Sequence, residues 1–241
     1  MILKIVLFIL ITVILTGLLA AIQQKINLDF EKIVLPQLAP AIGYIIMILL
    51  FKGMRIPIGL DFNKLIAIKS LLALGLPFLL ISIAYIIGKF IGLKLKFTTD
   101  LTPLISVMLI GIIIGSIGEE IGWRSFLQPT LEKNNSVILA SILVGLIWGL
   151  WHIGHYKNGL LYMIGFLFFT ISASILLAWI LRETGYSIII ALLFHTSVNI
   201  GFFVLFKNSL TDSKLMIING IVWLIPAIVV LITTGKDLIK I

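Results

Sequence analysis

The sequence predicts an all-α fold, a polytopic membrane helix bundle with about eight transmembrane helices. Hydrophobic residues make up 61% of the 241-residue chain and charged residues 12%, with a mean hydropathy of +1.23. A soluble domain of this length has too little interior to enclose that much apolar surface. The apolar residues also fall in continuous runs separated by short polar segments. Such runs suit helices, which close their backbone hydrogen bonds within the segment, whereas strands of a membrane barrel alternate apolar and polar residues. The chain reads as one membrane domain, 1–241, without internal repeats or low-complexity segments.

The first predicted span covers residues 3–22 and closes at the polar stretch 23–27. Its apolar part, 5–21, is longer than a usual signal-peptide core and only Lys4 precedes it as a charge, so it is read as a retained span. The second span, 34–51, carries Pro36 and Pro40 near its start, where a helix tolerates proline best. A basic loop follows over 52–63, with turn residues Pro57 and Gly59. Asp61 is the expected N-cap of an amphipathic lead-in to the third span, 70–92. After a basic turn over 92–100, the fourth span starts near Leu101 and carries two adjacent glutamates. The fifth runs over 136–151 and onward to His155, the sixth over 160–181, the seventh over 186–206 and the eighth over 215–234.

Net charge is +8, with lysines spread over short loops. That pattern suits anionic lipid headgroups, and no basic cluster points to nucleic acid. Lys and Arg divide almost evenly between alternate loops, so they set no orientation. The absence of cysteine excludes disulfides and thiolate chemistry.

Three polar segments interrupt the apolar pattern. Gly111–Arg124 reads GIIIGSIGEEIGWR, Trp148–His155 reads WGLWHIGH and His195–Asn199 reads HTSVN. A carboxylate at the centre of a bilayer costs roughly 2.5–3.5 kcal/mol on insertion scales, so Glu119 and Glu120 need local partners. Glu120 and Arg124 have the i,i+4 spacing at which a carboxylate meets a guanidinium. Glu119, about 100° away on the helix, then faces a cavity. Trp148 and His152 are i,i+4 on the fifth span, and His195 and Asn199 are i,i+4 on the seventh.

Depth brings these segments together if the fourth span stays helical to about Glu132. At 1.5 Å per residue, Glu119, His152, His195 and Asn199 then lie roughly 20, 24, 14 and 20 Å from the side of the membrane holding the loop between spans four and five. A general base is expected at Glu119 and a fixed oxyanion donor at Asn199.

EEIGWR matches the EExxxR motif of the CAAX protease and bacteriocin-processing family of intramembrane endopeptidases, relatives of the Ras-converting enzyme. Trp148–His152 resembles that family's second motif, an aromatic residue followed by three residues and a histidine, and His195–Asn199 resembles its HxxxN motif. The order agrees over about residues 101–206, although Ser125 stands where the family usually has glycine. The resemblance implies a glutamate-dependent intramembrane endopeptidase in a multi-pass, prokaryotic cell membrane, acting on a membrane-associated peptide or protein. Its catalytic core would be 101–206, flanked by helices in 1–100 and 207–241. Glu119 would polarise a water with His152, His195 and Asn199 would stabilise the oxyanion, and Glu120, Arg124 and Trp148 would support them. No cofactor or metal is expected. Two alternatives stay open: a zinc-dependent protease using Glu119, His152 and His195, and a non-catalytic bacteriocin-immunity protein or transporter.

Overall fold

The structure, a computed structural model, describes residues 1–30, 32–51, 63–102 and 107–239. Helix α1 (Ile2–Lys25) leads through a short 3-10 turn (Leu35–Leu38) into α2 (Ala39–Leu50). Helix α3 (Lys64–Phe90) precedes α4 (Val107–Gly122), which continues without a break through a π-helical turn (Trp123–Leu127) into α5 (Gln128–Glu132). Helix α6 (Val137–Trp151) and a 3-10 segment (Ile153–Asn158) lead to α7 (Leu160–Leu181). Helix α8 (Ile188–Gly201) runs into a second π turn (Phe202–Phe206), and α9 (Ser213–Ile239) follows. Among the described residues there is no β-strand. Five helices (or helix–turn units) among the described residues are long and apolar enough to cross a membrane, and Leu35–Leu50 and Val137–Trp151 are shorter apolar helices. The chain is thus an all-α, multi-pass membrane bundle.

Local sequence explains the boundaries. The Asn63 side chain accepts a hydrogen bond from Ile66 N at 3.0 Å and caps α3. Asp61, the residue expected to do so, lies outside the described residues, as do Pro57 and Gly59. Ser136 caps α6 through Leu139 N. That helix stops at Trp151 and does not run on to His155. The reason is His152, which sits at the C-cap and turns its ring back so that Nδ1 bonds the Trp148 carbonyl at 2.8 Å. The second span opens as a 3-10 turn and is α-helical from Ala39, and Pro40 has no N–H to make the α-helical bond to the Pro36 carbonyl.

Helix α7 is the most enclosed, with α6 on one side and α9 on another, while α1 is the most exposed and packs mainly on α2. Without a hydrophobic drive between helices in lipid, close packing through small residues holds them together. A Cβ on Gly165 would lie 2.6 Å from the Met216 backbone on α9. On α4, the glycines at 111, 115, 118 and 122 all face the 32–40 segment. A Cβ on Gly118 would sit 2.5 Å from the Gln37 carbonyl oxygen and 3.0 Å from Leu38 Cα, both backbone atoms.

Buried Gln23 fixes the approach to that segment. Its Nε2 donates to the carbonyls of Leu28 (3.2 Å) and Ile33 (2.6 Å), and its Oε1 accepts from Leu35 N at 2.8 Å. The turn bearing Gln37 is therefore held from α1 and pressed against α4. Gly118→Val is expected to push this turn away and destabilise the protein by about 1–3 kcal/mol, the usual cost of overpacking. Thermal unfolding in detergent measures this, and an unchanged midpoint would contradict the close contact.

Candidate active site

Glu119 and Glu120 stand one residue apart on α4 and are both buried, with 0% and 1% of their surfaces exposed. Their helical offset sends them to different partners. One Glu119 oxygen accepts from Gln37 Nε2 at 2.8 Å and the other from the Trp148 indole Nε1 at 2.7 Å. Both donors are neutral, and each oxygen keeps a second lone pair for a further donor such as water.

Glu120 is bound to charged or chargeable groups. Its Oε2 pairs with Arg124 Nε at 3.2 Å, and its Oε1 meets His195 Nδ1 at 2.7 Å. The pairing with Arg124 agrees with the i,i+4 spacing. The contact with His195 does not appear in the sequence reading, which gathered both histidines around Glu119.

Arg124 is itself fastened from three directions. Besides Glu120, its Nη1 donates to Gln128 Oε1 and to Ser174 Oγ, each at 2.8 Å. Ser174 Oγ in turn donates to the Ser141 carbonyl at 2.7 Å, which ties α6 and α7 to the same group. Gln128 Nε2 donates to Glu132 Oε1 at 2.9 Å. A polar row therefore runs Glu120, Arg124, Gln128, Glu132 along one side of the α4–α5 helix. In an uninterrupted α-helix an i,i+4 row drifts roughly 40° per step, or roughly 120° over three steps. The π turn at 123–127, with its wider i→i+5 winding, opposes that drift.

The two histidines flank one indole. Ring centroids lie 5.8 Å apart for Trp148 and His152 and 5.5 Å for Trp148 and His195, both edge-on. Because a carbonyl only accepts, His152 carries its proton on Nδ1 and keeps the Nε2 lone pair. His195 likewise directs Nδ1 to the Glu120 carboxylate, leaving Nε2 for another partner. Asn199, one turn along α8, donates from Nδ2 to Ser116 Oγ at 3.4 Å, and Ser116 lies one turn before Glu119. Ser116 Oγ is committed to the Ile112 carbonyl at 2.8 Å, which argues against a nucleophilic serine.

The structure thus joins Glu119 directly to Trp148, and Glu120 directly to Arg124 and His195. It brings His152 to the cluster through Trp148 and Asn199 through Ser116. The contributors absent from the sequence reading include Gln37, Gln128, Glu132 and Ser174. Among the described residues, no three His, Asp or Glu side chains are arranged to hold a metal ion. Nδ1 of His152 meets the Trp148 carbonyl and Nδ1 of His195 meets Glu120, so the zinc alternative would have to use the Nε2 atoms of both rings and a spare Glu119 lone pair.

An all-α membrane bundle with buried glutamates and histidines from separate helices defines the class of an intramembrane helical protein with a polar site enclosed by protein. Residues 101–201 match the family model described as type II CAAX prenyl endopeptidase Rce1-like. Over 215 residues the chain is 31% identical to lysostaphin resistance protein A of Staphylococcus haemolyticus, which covers 85% of this chain and 58% of that protein. It is 33% identical over 211 residues to the protein of the same name from Staphylococcus aureus MRSA252, covering 85% of this chain and 50% of the relative. The chain therefore spans about half the length of these relatives.

Proposed function

We propose that the protein is a glutamate-dependent intramembrane endopeptidase that cleaves a membrane-associated peptide or protein, with 101–206 as its catalytic core. One observation carries this reading: Glu119 is a fully buried carboxylate held by two neutral N–H donors, while the adjacent Glu120 takes the guanidinium. A purely structural ion-pair cluster needs only Glu120 and Arg124. The additional carboxylate, held in place with lone pairs to spare, is what a general base requires.

In the proposed reaction, Glu119 accepts a proton from a water whose oxygen attacks the scissile carbonyl. The Nε2 lone pair of His152 orients that water, then takes the proton from Glu119 and passes it to the departing amine as the C–N bond breaks, which returns Glu119 to its carboxylate form. In its protonated form His195 donates Nδ1–H to Glu120 and Nε2–H to the oxyanion, and Asn199 supplies a second, uncharged donor. Loss of one such donor typically costs about 2.7–4 kcal/mol in the transition state. Gln37 enters from the N-terminal flank, so the helices before residue 101 contribute to the site as well as enclosing it.

The test is cleavage of a lipid-anchored peptide by purified protein in a bilayer. Turnover is expected to survive strong chelation and to fall at least about 10²-fold in His152→Ala. Unchanged turnover in that variant would remove the assignment, and loss of turnover on chelation, restored by zinc, would return the metal-dependent alternative. The relatives are named for lysostaphin resistance, and a second reading is that this chain confers resistance without catalysis. Resistance conferred in cells equally by the wild type and by Glu119→Gln would select it.

A further inference from the structure

On the side of the bundle where α3 and α8 end, a cavity of about 550 Å³ opens among α3, the extended segment 93–100 and the end of the second π turn. Three lysines line it, Lys89 from the last turn of α3, Lys96 from the extended segment and Lys207 just after the π turn, against a single acid, Asp100. Lys89 Nζ donates to the Leu95 carbonyl at 3.3 Å, and Lys207 Nζ lies 4.9 Å from the centre of the Phe203 ring. Hydrogen bonds from Thr102 hold the Asp100 carboxyl below the usual range, so it stays ionised and offsets only part of this charge.

Phe97 lines the cavity and Phe90 follows Lys89 in the sequence at the end of α3, and both side chains are exposed. Phe90 is 90% exposed and Phe97 56% exposed. In a membrane bundle such residues at the end of a span lie against acyl chains, and the lysines beside them lie at headgroup level. The floor is ordered by Thr98, whose N donates to the Val204 carbonyl at 2.7 Å and whose Oγ1 donates to the Phe203 carbonyl at 3.1 Å. These carbonyls belong to the π turn that follows α8, one turn beyond Asn199.

From the three lysines that line the cavity, the exposed Phe97 at its edge and the floor ordered by Thr98, the geometry points to a binding site for the headgroup of an anionic phospholipid. The phosphate occupies the lysine-lined cavity and the acyl chains run down beside Phe90 and Phe97. Because Thr98 bonds the π turn, an occupied cavity also braces the end of the helix that carries His195 and Asn199. Lysines that merely snorkel independently would attract anionic lipid in proportion to net charge, with no preference for this location.

The experiment is native mass spectrometry of the full chain released from nanodiscs holding equal phosphatidylglycerol and phosphatidylcholine. The wild type is expected to retain phosphatidylglycerol roughly 30- to 150-fold over phosphatidylcholine, the scale set by two to three lysines acting on one anion. The triple variant Lys89→Gln, Lys96→Gln, Lys207→Gln is expected to lose most of that preference. Lys89→Arg, Lys96→Arg, Lys207→Arg should keep it, which separates lost charge from lost folding. A control triple of equal charge change, Lys25→Gln, Lys133→Gln, Lys214→Gln, should keep it too. Equal retention of the two lipids by the wild type, or equal loss in the two glutamine triples, overturns the site. Displacement of the bound lipid by millimolar inorganic phosphate would also overturn it, since the acyl chains would then contribute nothing. No readout depends on peptidase activity, so the result stands apart from the functional proposal.

Discussion

Glu119→Gln is expected to lower peptide cleavage by about 10²–10⁴-fold, the range that a positioned general base contributes, while leaving the fold nearly unchanged. The local hydrogen bonds make this substitution informative. The glutamine carbonyl oxygen keeps the bond from Trp148 Nε1, and its new amide group faces Gln37, whose donor now stands 2.8 Å from the carboxylate. Gln37 can turn its own carboxamide over and present oxygen in place of nitrogen. Charge and basicity are lost while both contacts survive. Glu119→Leu differs, because it strands the indole N–H and the Gln37 amide in a buried space at about 1–3 kcal/mol for each group. Steady-state cleavage and thermal unfolding of the two variants separate chemistry from structure. A Glu119→Gln protein with wild-type turnover would end the general-base assignment, whatever its stability.

Much of the architecture was legible because lipid imposes simple requirements. The sixth predicted span, 160–181, coincides with α7 (Leu160–Leu181), since a long apolar run bounded by Gly159 and Arg182 leaves little freedom. The continuity of the fourth span to Glu132, on which the depth argument relied, is also found in α4, the π turn and α5. Less legible were contacts with no periodic signature. Gln37 meets Glu119 across 82 residues of sequence, from a 3-10 turn that carries no helical pattern of its own. The only hint was the glycine series 111, 115, 118 and 122, which marks a face of α4 that another backbone must approach closely. Gln128 and Glu132 were hidden for a different reason. Ordinary α-helical spacing rotates them away from Glu120, and a π turn is not readable from residue types. The direct bond from His195 to Glu120 was hidden because the Glu120–Arg124 spacing looked complete without a third member.

Arg124→Met is expected to destabilise the protein by about 3–5 kcal/mol, the cost of removing one partner from a buried ion pair. Methionine matches much of the apolar stem but none of the five donors. Its introduction leaves Glu120 Oε2, Gln128 Oε1 and Ser174 Oγ without their common donor. Lysine does not repair the loss. The guanidinium addresses Glu120 through Nε and the other two through Nη1, a forked geometry that a single ammonium cannot reproduce. Arg124→Lys is therefore expected to recover less than half of the lost stability. The decisive comparison is Glu120→Gln with Arg124→Met. If the charge pair is the main term, the double variant should be more stable than the sum of the two single losses, because the methionine no longer faces an uncompensated carboxylate. Strict additivity in thermal or denaturant unfolding would show instead that Arg124 acts mainly as a tie between α5 and α7. That distinction bears on the site, because His195 takes its orientation from the Glu120 carboxylate that Arg124 holds.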